Sequence, residues 1–355
     1  MTVDEGLLSS IEKLRTPLNN ANAPIDWKDW YHYILIDIQT EIRVLVNISL
    51  IGRIEKGEIQ TTFIVTIPSD NLQEKLSPSV PILTFGIAFS QEWTIDNVQR
   101  NPLQIQGKQI SLNIVNKDCS LTVNDSRSQL GINFRGQAKA TPLLVTENSP
   151  FGSGFIGWGF VPGLQVNGEL SICNQTFDIN ENWCCYHDRN FGRFRWGEDI
   201  GWEWLVAFLR DENGQKFTIV LDKRTNKDHF ISGLAYIFIY QENEPMKTFV
   251  GENLQINWQW TNSPVTPLRL PGIMASLFNE RSLKMPRSLE IRATDSQDNL
   301  TLNIQFETAT ELIVPDNQAR QYSFIEEVTG STEMTLFSGN QFIKATGITY
   351  AEYVI

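Results

Sequence analysis

Short runs in which apolar and polar residues alternate recur along the chain. In Leu300–Phe306, LTLNIQF, every second residue is apolar, so an extended segment would have one apolar and one polar face. Comparable β-branched or aromatic runs occupy Thr61–Ile67, Lys216–Leu221, Ala235–Tyr240 and Leu254–Trp260. Half-buried antiparallel strands require this period of two. The pattern therefore predicts an all-β chain.

Turn signals separate these runs, at Lys56-Gly57, Asn213-Gly214, Asp298-Asn299 and Ser338-Gly339. The segment Asp211–Gln215 predicts a hairpin that joins Trp202–Arg210 to Lys216–Leu221. Helices are expected to be few. Two short helices and one proline-rich loop are predicted, at Gly6–Arg15, Ala275–Leu283 and Pro264–Pro271.

Length and composition set the number of domains. At roughly 150 residues per domain, the 355 residues correspond to about two domains, and 41% of them are hydrophobic, enough for a sizeable core. No long low-complexity linker occurs, so we expect domains 23–196 and 197–355 to pack tightly, after an N-terminal segment, 1–22, with a short helix. Many antiparallel strands over this length suggest two barrels or sandwiches.

The charge balance and the cysteines narrow the function class. The chain has 41 acidic and 29 basic residues, a net charge of −12, without the clustered cations that displace phosphate counterions. Nucleic acid is therefore not an expected partner. No apolar run suits a transmembrane helix, the N-terminus lacks a secretory signal, and four scattered cysteines indicate reduced thiols. We expect a cytoplasmic protein without an integral membrane segment.

Three familiar kinds of site are weakly supported. Gly152–Gly157 fits GxGxxG, but Trp158–Gly163 follows it and contains Pro162, so a β-loop is favoured over a nucleotide site. The three histidines, His32, His187 and His229, lack metal-ligand spacing, so no metal is predicted. A hydrolase that uses His187 or His229 would lack the GxSxG elbow and is the least favoured hypothesis.

The segment Trp183–Phe208 carries the most distinctive chemistry. If Tyr186–Asn190 is extended, Tyr186, Asp188 and Asn190 share one face, and His187 and Arg189 share the other. Two interpretations remain open. In the first, nearby tryptophans are core, and Asp188 ties down a turn or pairs with an arginine. In the second, Asp188 lies in an apolar cavity, where desolvation raises its pKa and lets it act as a general acid.

A resemblance favours the second interpretation. Tyr186–Gly192, followed by Trp196-Gly197, is similar to the Y-x-D-x-N-x-G…W-G signature of the carotenoid 1,2-hydratase and AttH-like superfamily. Upstream, Leu164–Leu170 resembles its V-x-G-x-L strand, and Trp27–Tyr31 resembles its W-x-x-W-Y element. These landmarks cover Trp27 to Leu209, and the rest of the chain matches in β character alone.

The resemblance implies two packed lipocalin-like antiparallel β-barrels and an apolar site in a cleft between them. It implies a cofactor-independent cyclase, Diels–Alderase or hydratase for a polyene, terpenoid or polyketide, with Asp188 as acid or hydrogen-bond donor and Tyr186 and Asn190 as catalytic partners. The expected substrate-binding residues are Trp158, Trp183, Trp196, Trp202, Trp204 and His187. The alternative is a non-catalytic lipid or pigment carrier. Unlike the hydratases, which use an upstream His-x-Trp pair, the chain reads Trp158-Gly159-Phe160 there.

Overall fold

The computed structural model consists almost entirely of β-strands. It describes residues 3–18, 24, 26–53, 57–72, 80–261, 267–278, 285–295, 297–316, 321–339 and 341–355. The chain divides into two compact units, residues 1–195 and 196–355.

The first unit contains two seven-stranded sheets. Its strands are β1 (Trp27–Asp37), β2 (Ile42–Ile51), β3 (Gly57–Pro68), β4 (Ile82–Trp93), β5 (Val98–Gln99), β6 (Leu103–Gln106), β7 (Ile110–Val115), β8 (Asp118–Asp125), β9 (Leu130–Ala138), β10 (Leu143–Phe151), β11 (Gly154–Val161), β12 (Leu164–Ile172), β13 (Gln175–Ile179) and β14 (Trp183–Arg193). Sheet A has the order β10-β11-β14-β1-β2-β3-β4, and sheet B has the order β13-β12-β9-β8-β7-β6-β5.

Apolar side chains from both sheets form one core in the first unit. Tyr33 of β1 and Phe134 of β9, whose ring centroids lie 5.6 Å apart, join the two layers. The prediction of a closed barrel is wrong. Among the described residues the hydrogen-bonded order of sheet A ends at β10 and β4, and that of sheet B ends at β13 and β5. The apolar core lies instead between sheets A and B, because each sheet presents an apolar face to the other.

The second unit contains a single ten-stranded sheet. Its strands are β15 (Gly201–Asp211), β16 (Lys216–Thr225), β17 (Ser232–Gln241), β18 (Glu244–Val250), β19 (Leu254–Thr261), β20 (Leu268–Leu270), β21 (Met285–Asp295), β22 (Asp298–Asp316), β23 (Gln321–Ser338) and β24 (Gln341–Val354). The order is β18-β17-β16-β15-β24-β23-β22-β21-β19, with β20 beside β22, so this barrel is not closed either among the described strands. Strands β15 and β19 are not neighbours in this order, yet Nε1 of Trp258 on β19 donates to Oε2 of Glu203 on β15 (3.0 Å). The sheet is therefore curled.

The strands and the hairpin predicted from alternation are confirmed. Thr61–Ile67, Lys216–Leu221, Ala235–Tyr240, Leu254–Trp260 and Leu300–Phe306 lie in β3, β16, β17, β19 and β22. In the predicted hairpin, Arg210 pairs with Lys216 and Trp202 pairs with Arg224. The GxGxxG segment is a hairpin turn between β10 and β11, with Gly152 at a φ of 54°. A side chain at Gly154 would meet the carbonyl oxygen of Arg193, so a close backbone approach requires this second glycine.

Helices are few, as expected. The first, α1 (Glu5–Glu12), begins after Asp4, whose carboxylate accepts from the amide of Leu7 (2.9 Å), and it ends earlier than predicted. The second, α2 (Gly272–Ala275), precedes the predicted position, and the segment predicted beyond residue 278 lies outside the described residues. The predicted loop contains β20, and its residues 264–266 also lie outside. No described helix is both long and apolar enough to cross a membrane.

In the sheet of the second unit, the face opposite the apolar core carries a row of buried or half-buried acidic side chains. Trp204 lies between its cross-strand neighbours Asp222 and Glu352, and Glu327 lies beyond Glu352. Burial raises the pKa of Glu352 to about 7, although the indole N–H of Trp202, 2.7 Å away, and Glu327 counteract the rise. Burial also raises the pKa of Asp222 to about 6. The folded chain therefore holds protons here that an unfolded chain would release.

These two carboxyls make stability depend on pH. Their ordinary pKa values are 4.5 for Glu352 and 3.8 for Asp222, so across the window up to about 7 the folded state binds more protons than the unfolded state. Their contribution to the free energy of unfolding should therefore fall as the pH rises from about 4 to about 7. Glu352→Gln should flatten this fall, and Glu252→Gln, at an exposed position, should not. Urea unfolding at several pH values measures the slope, and equal slopes in the wild type and Glu352→Gln would refute this account.

Candidate active site

Strand β14 positions the candidate acid. It lies between β1 and β11 in sheet A, so both of its edges are hydrogen-bonded. Side chains alternate along it, and Tyr186, Asp188 and Asn190 project from one face, as predicted. The Tyr186 hydroxyl donates to Oδ2 of Asp188 (2.9 Å), and Nδ2 of Asn190 donates to Oδ1 (3.1 Å). The three side chains thus form one hydrogen-bonded group around a single carboxyl.

Asp188 is buried, with 1% of its surface exposed, beside aromatic rings. Its cross-strand neighbour on β11 is Phe160, whose ring centroid lies 5.8 Å from that of Tyr186. Trp158 lies across from Asn190, and its ring centroid is 5.0 Å from that of Phe160. The structure therefore places Phe160 opposite Asp188 and the predicted Trp158 opposite Asn190, on the same face of sheet A. Burial of this kind disfavours the charged form of a carboxyl.

His32 is the neighbour that sequence reasoning missed. It lies across from Asp188 on β1, and its Nδ1 is 3.9 Å from Oδ1 of Asp188. Burial, followed by the positive charge of His187, lowers the pKa of His32 to about 3. The ring is therefore uncharged at neutral pH, and the contact with Asp188 is not an ion pair. The W-x-x-W-Y landmark ends one residue before His32, and only the pairing of β1 with β14 reveals its proximity.

The opposite face of β14 carries a buried ionic network. Nε2 of His187 lies 3.1 Å from Oε1 of Glu12 at the end of α1. Arg189 pairs with Asp29 of β1, and its Nη1 is 3.6 Å from Glu12. The second oxygen of Asp29 accepts from the amide of Arg15 (2.7 Å). These contacts hold α1 and the segment after it against the sheet, directly behind the candidate acid.

The charged groups of this network stabilise one another in their ionised forms. Burial raises the pKa of Glu12, but His187 and Arg189 outweigh it, and the pKa lies below its ordinary value. The guanidinium of Arg189 also lies over the Tyr31 ring, 3.5 Å from its centroid. A buried ion is tolerated when its partners compensate for the lost hydration, as they do here.

Two predicted substrate contacts are not beside Asp188. Trp183 lies on the other face of β14, in the core of the first unit, and its indole donates to the carbonyl of Asp178 (3.1 Å). His187 also lies on that face, where Glu12 occupies Nε2. Both placements follow from strand alternation, which separates odd from even positions, and a role of either residue in substrate binding stays a prediction.

The remaining predicted tryptophans belong to the second unit. The ring centroids of Trp196 and Trp202 are 5.9 Å apart, and Trp204 lies in the row of acidic side chains described above. All three are buried. Their role as a substrate wall stays a prediction.

Comparison with solved structures shows the fold. An AttH-type protein from Nitrosomonas europaea superimposes with a TM-score of 0.61 at 11% identity, covering 96% of this chain and 98% of that chain. Kievitone hydratase from Nectria haematococca gives 0.58 at 11% identity, with 97% of each chain covered. CghA, in a structure with Sch210972, gives 0.56 at 8% identity and covers 96% of this chain and 93% of the other.

These neighbours confirm the resemblance at the level of the fold, which is that of two-domain lipocalin-like proteins. At 8–11% identity, this likeness shows the fold alone. No family model matches the sequence. No curated protein matches it either.

Breaking the buried ion pair behind the site should destabilise the first unit. Asp29→Asn would remove the nearer carboxylate of Arg189, which is fully buried, and leave the more distant one of Glu12, a change that costs about 3–5 kcal/mol in comparable pairs. The matched control is Asp26→Asn, because Asp26 pairs with Arg193, which is 40% exposed, and such pairs contribute at most about 1 kcal/mol. Chemical denaturation measures both. Equal losses in the two variants would contradict the assigned role of Asp29.

Proposed function

We propose that the protein is a cofactor-independent enzyme that hydrates or cyclises an apolar polyene, terpenoid or polyketide, with Asp188 as general acid or hydrogen-bond donor. The observation that carries this proposal is the hydrogen-bonded group of Tyr186, Asp188 and Asn190, buried beside aromatic rings. A carboxyl at the surface, or one paired with a cation, would serve this chemistry poorly. The fold shared with a hydratase and with CghA supports the same class of reaction.

Asp188 keeps its proton, in this proposal, because the cost of burying a carboxylate outweighs the hydrogen bonds that it accepts from Tyr186 and Asn190. Burial removes the water that would solvate a carboxylate. The ring of His32, 3.9 Å away, is uncharged and so offers no ion pair. Tyr186 and Asn190 donate to both oxygens, which orients the carboxyl toward the substrate and stabilises the carboxylate that forms once the proton has left.

For hydration, the proton of Asp188 would add to one carbon of a double bond and leave a carbocation on the other carbon. Water then attacks that carbon, and the proton it releases returns to the carboxylate, so the enzyme ends unchanged. The faces of Trp158 and Phe160 would stabilise the cation. The uncharged ring of His32, whose Nδ1 lies 3.9 Å from Oδ1 of Asp188, would orient the water.

For cyclisation, the same carboxyl would donate a hydrogen bond to a carbonyl conjugated with a double bond, and no proton would be transferred overall. Most of the acceleration would come from holding a flexible chain in its reactive conformation, which contributes up to about 7–11 kcal/mol in favourable cases. Hydration and cyclisation therefore use one acid and differ in whether water enters.

The first experiment identifies the substrate class and the reaction together. Purified protein is incubated with lycopene, squalene and an apolar extract of metabolites in ²H₂O containing H₂¹⁸O, and products are analysed by mass spectrometry. Hydration would add one deuterium on carbon and one ¹⁸O, whereas cyclisation would give an isomer without either label. Recovery of bound compounds unchanged from every mixture would favour the carrier and contradict the enzyme.

Asp188→Asn should abolish most of the activity found in that experiment. Loss of a general acid typically costs about 10²–10⁴-fold in rate, and a loss in this range is expected in kcat. Asp118→Asn, at an exposed position on β8, is the matched control and should retain full activity. Thermal unfolding must show that both variants fold. Full activity in a folded Asp188→Asn protein would exclude Asp188 as the acid.

A further inference from the structure

The hydrogen bonds of His187 require that its ring carries a positive charge. Its Nδ1 lies 2.9 Å from the carbonyl oxygen of His32, and its Nε2 lies 3.1 Å from Oε1 of Glu12. A carbonyl oxygen can only accept a hydrogen bond, and so can an ionised carboxylate. Both ring nitrogens must therefore carry hydrogen, which makes the ring an imidazolium. The ring also stacks on Tyr33, with centroids 4.1 Å apart, so it has little freedom to turn.

The groups around His187 favour this charge state. Glu12 reaches it from α1, and the low pKa of Glu12 keeps that carboxyl ionised, so the shared proton stays on the ring. Arg189, two positions along β14, shares Glu12 with His187 and also pairs with Asp29. Tyr33 presents its ring face from β1. The positive charge of His187 therefore depends on the ionised carboxylate of Glu12 at the end of α1.

His187 and His32 are connected through one backbone carbonyl. The N–H of His187 donates to the carbonyl of His32, whose ring projects from the other face of the sheet toward Asp188. A second positive charge at His32 would be repelled by the first across a short, buried path. The titratable side chain that faces His32 on its own side is Asp188, to which Tyr186 and Asn190 donate, and its cross-strand neighbour on β2 is the uncharged Asn47.

We propose that Glu12 and His187 are positioning residues that act through His32: the carboxylate of Glu12 holds His187 as an imidazolium, and that charge adds to the effect of burial in keeping His32 uncharged beside Asp188. Without it, His32 would bind a proton more readily and would compete with Asp188 for its proton as the pH falls. The carboxyl would then have no proton to deliver. Only this last consequence rests on the proposed function; the charge states of the two rings do not.

Nitrogen NMR of the histidine rings tests the charge states without a substrate. The chain has only three histidines, so ¹⁵N-histidine labelling of the whole protein gives few ring signals, and single variants assign them. At neutral pH, His187 should show two protonated nitrogens, and His32 should show one protonated and one bare nitrogen. His32 should stay in that form down to about pH 5. Titration of His32 near its ordinary value in the wild type would overturn the proposal.

His187→Asn tests the coupling between the rings. Asparagine can still donate to the carbonyl of His32, but it carries no charge. The proton affinity of His32 should rise about tenfold or more, because the opposing charge is gone. Glu12→Gln should act in the same direction by releasing the proton of His187. The control is His229→Asn in the second unit, which also removes a histidine paired with a carboxylate, that of Glu203, and should leave His32 unchanged.

Activity data separate this inference from the proposed function. If the inference holds, folded His187→Asn protein loses kcat progressively as the pH falls, in step with protonation of His32 seen by NMR. If His32 titrates as expected but activity in Asp188→Asn is intact, the proposed function fails and the positioning inference stands. If Asp188 is essential but His32 does not respond to His187→Asn, the inference fails alone.

Discussion

Two hydrogen bonds to one buried carboxyl are the interaction on which this account depends. Asp188 accepts from Tyr186 and Asn190, its neighbours two positions away on the same strand, and the three groups are orientated by the backbone of β14. That strand is held on both edges, by β1 and β11, so the backbone that carries the carboxyl cannot shift without disrupting sheet A. A preorganised donor of this kind needs no rearrangement when a substrate reacts.

Strand alternation also places the cationic side chains of β14 on the face opposite Asp188. The same five residues of β14 place His187 and Arg189 on the reverse face, where Glu12 and Asp29 compensate them. The cations therefore lie behind the sheet, and aromatic rings and an uncharged His32 lie in front of it. One short segment thus supplies both the neutral surroundings of the acid and the ionic network that anchors α1.

Much of this could be predicted from local sequence. Period-two alternation identified the strands and the shared face of Tyr186, Asp188 and Asn190, because both depend on neighbours within one segment. Long-range pairing could not be predicted. His32 lies 156 positions before Asp188 and meets it only through the register of β1 with β14. The prediction of closed barrels was wrong for the same reason, since hydrogen bonding between the end strands of a sheet leaves no local pattern in the sequence. The resemblance gave Trp183 and His187 as substrate-binding residues, although odd positions of β14 face away from Asp188.

The most direct test of the central claim is the protonation state of Asp188 itself. Infrared difference spectra between the wild type and Asp188→Asn at neutral pH, with ¹³C-aspartate labelling, report that carboxyl, while the other buried acids cancel. The account predicts that the substitution removes a carbonyl band of a protonated carboxyl, shifted by the label. Loss of carboxylate bands alone would show that Asp188 is ionised in the resting protein, and it would contradict Asp188 as a proton donor.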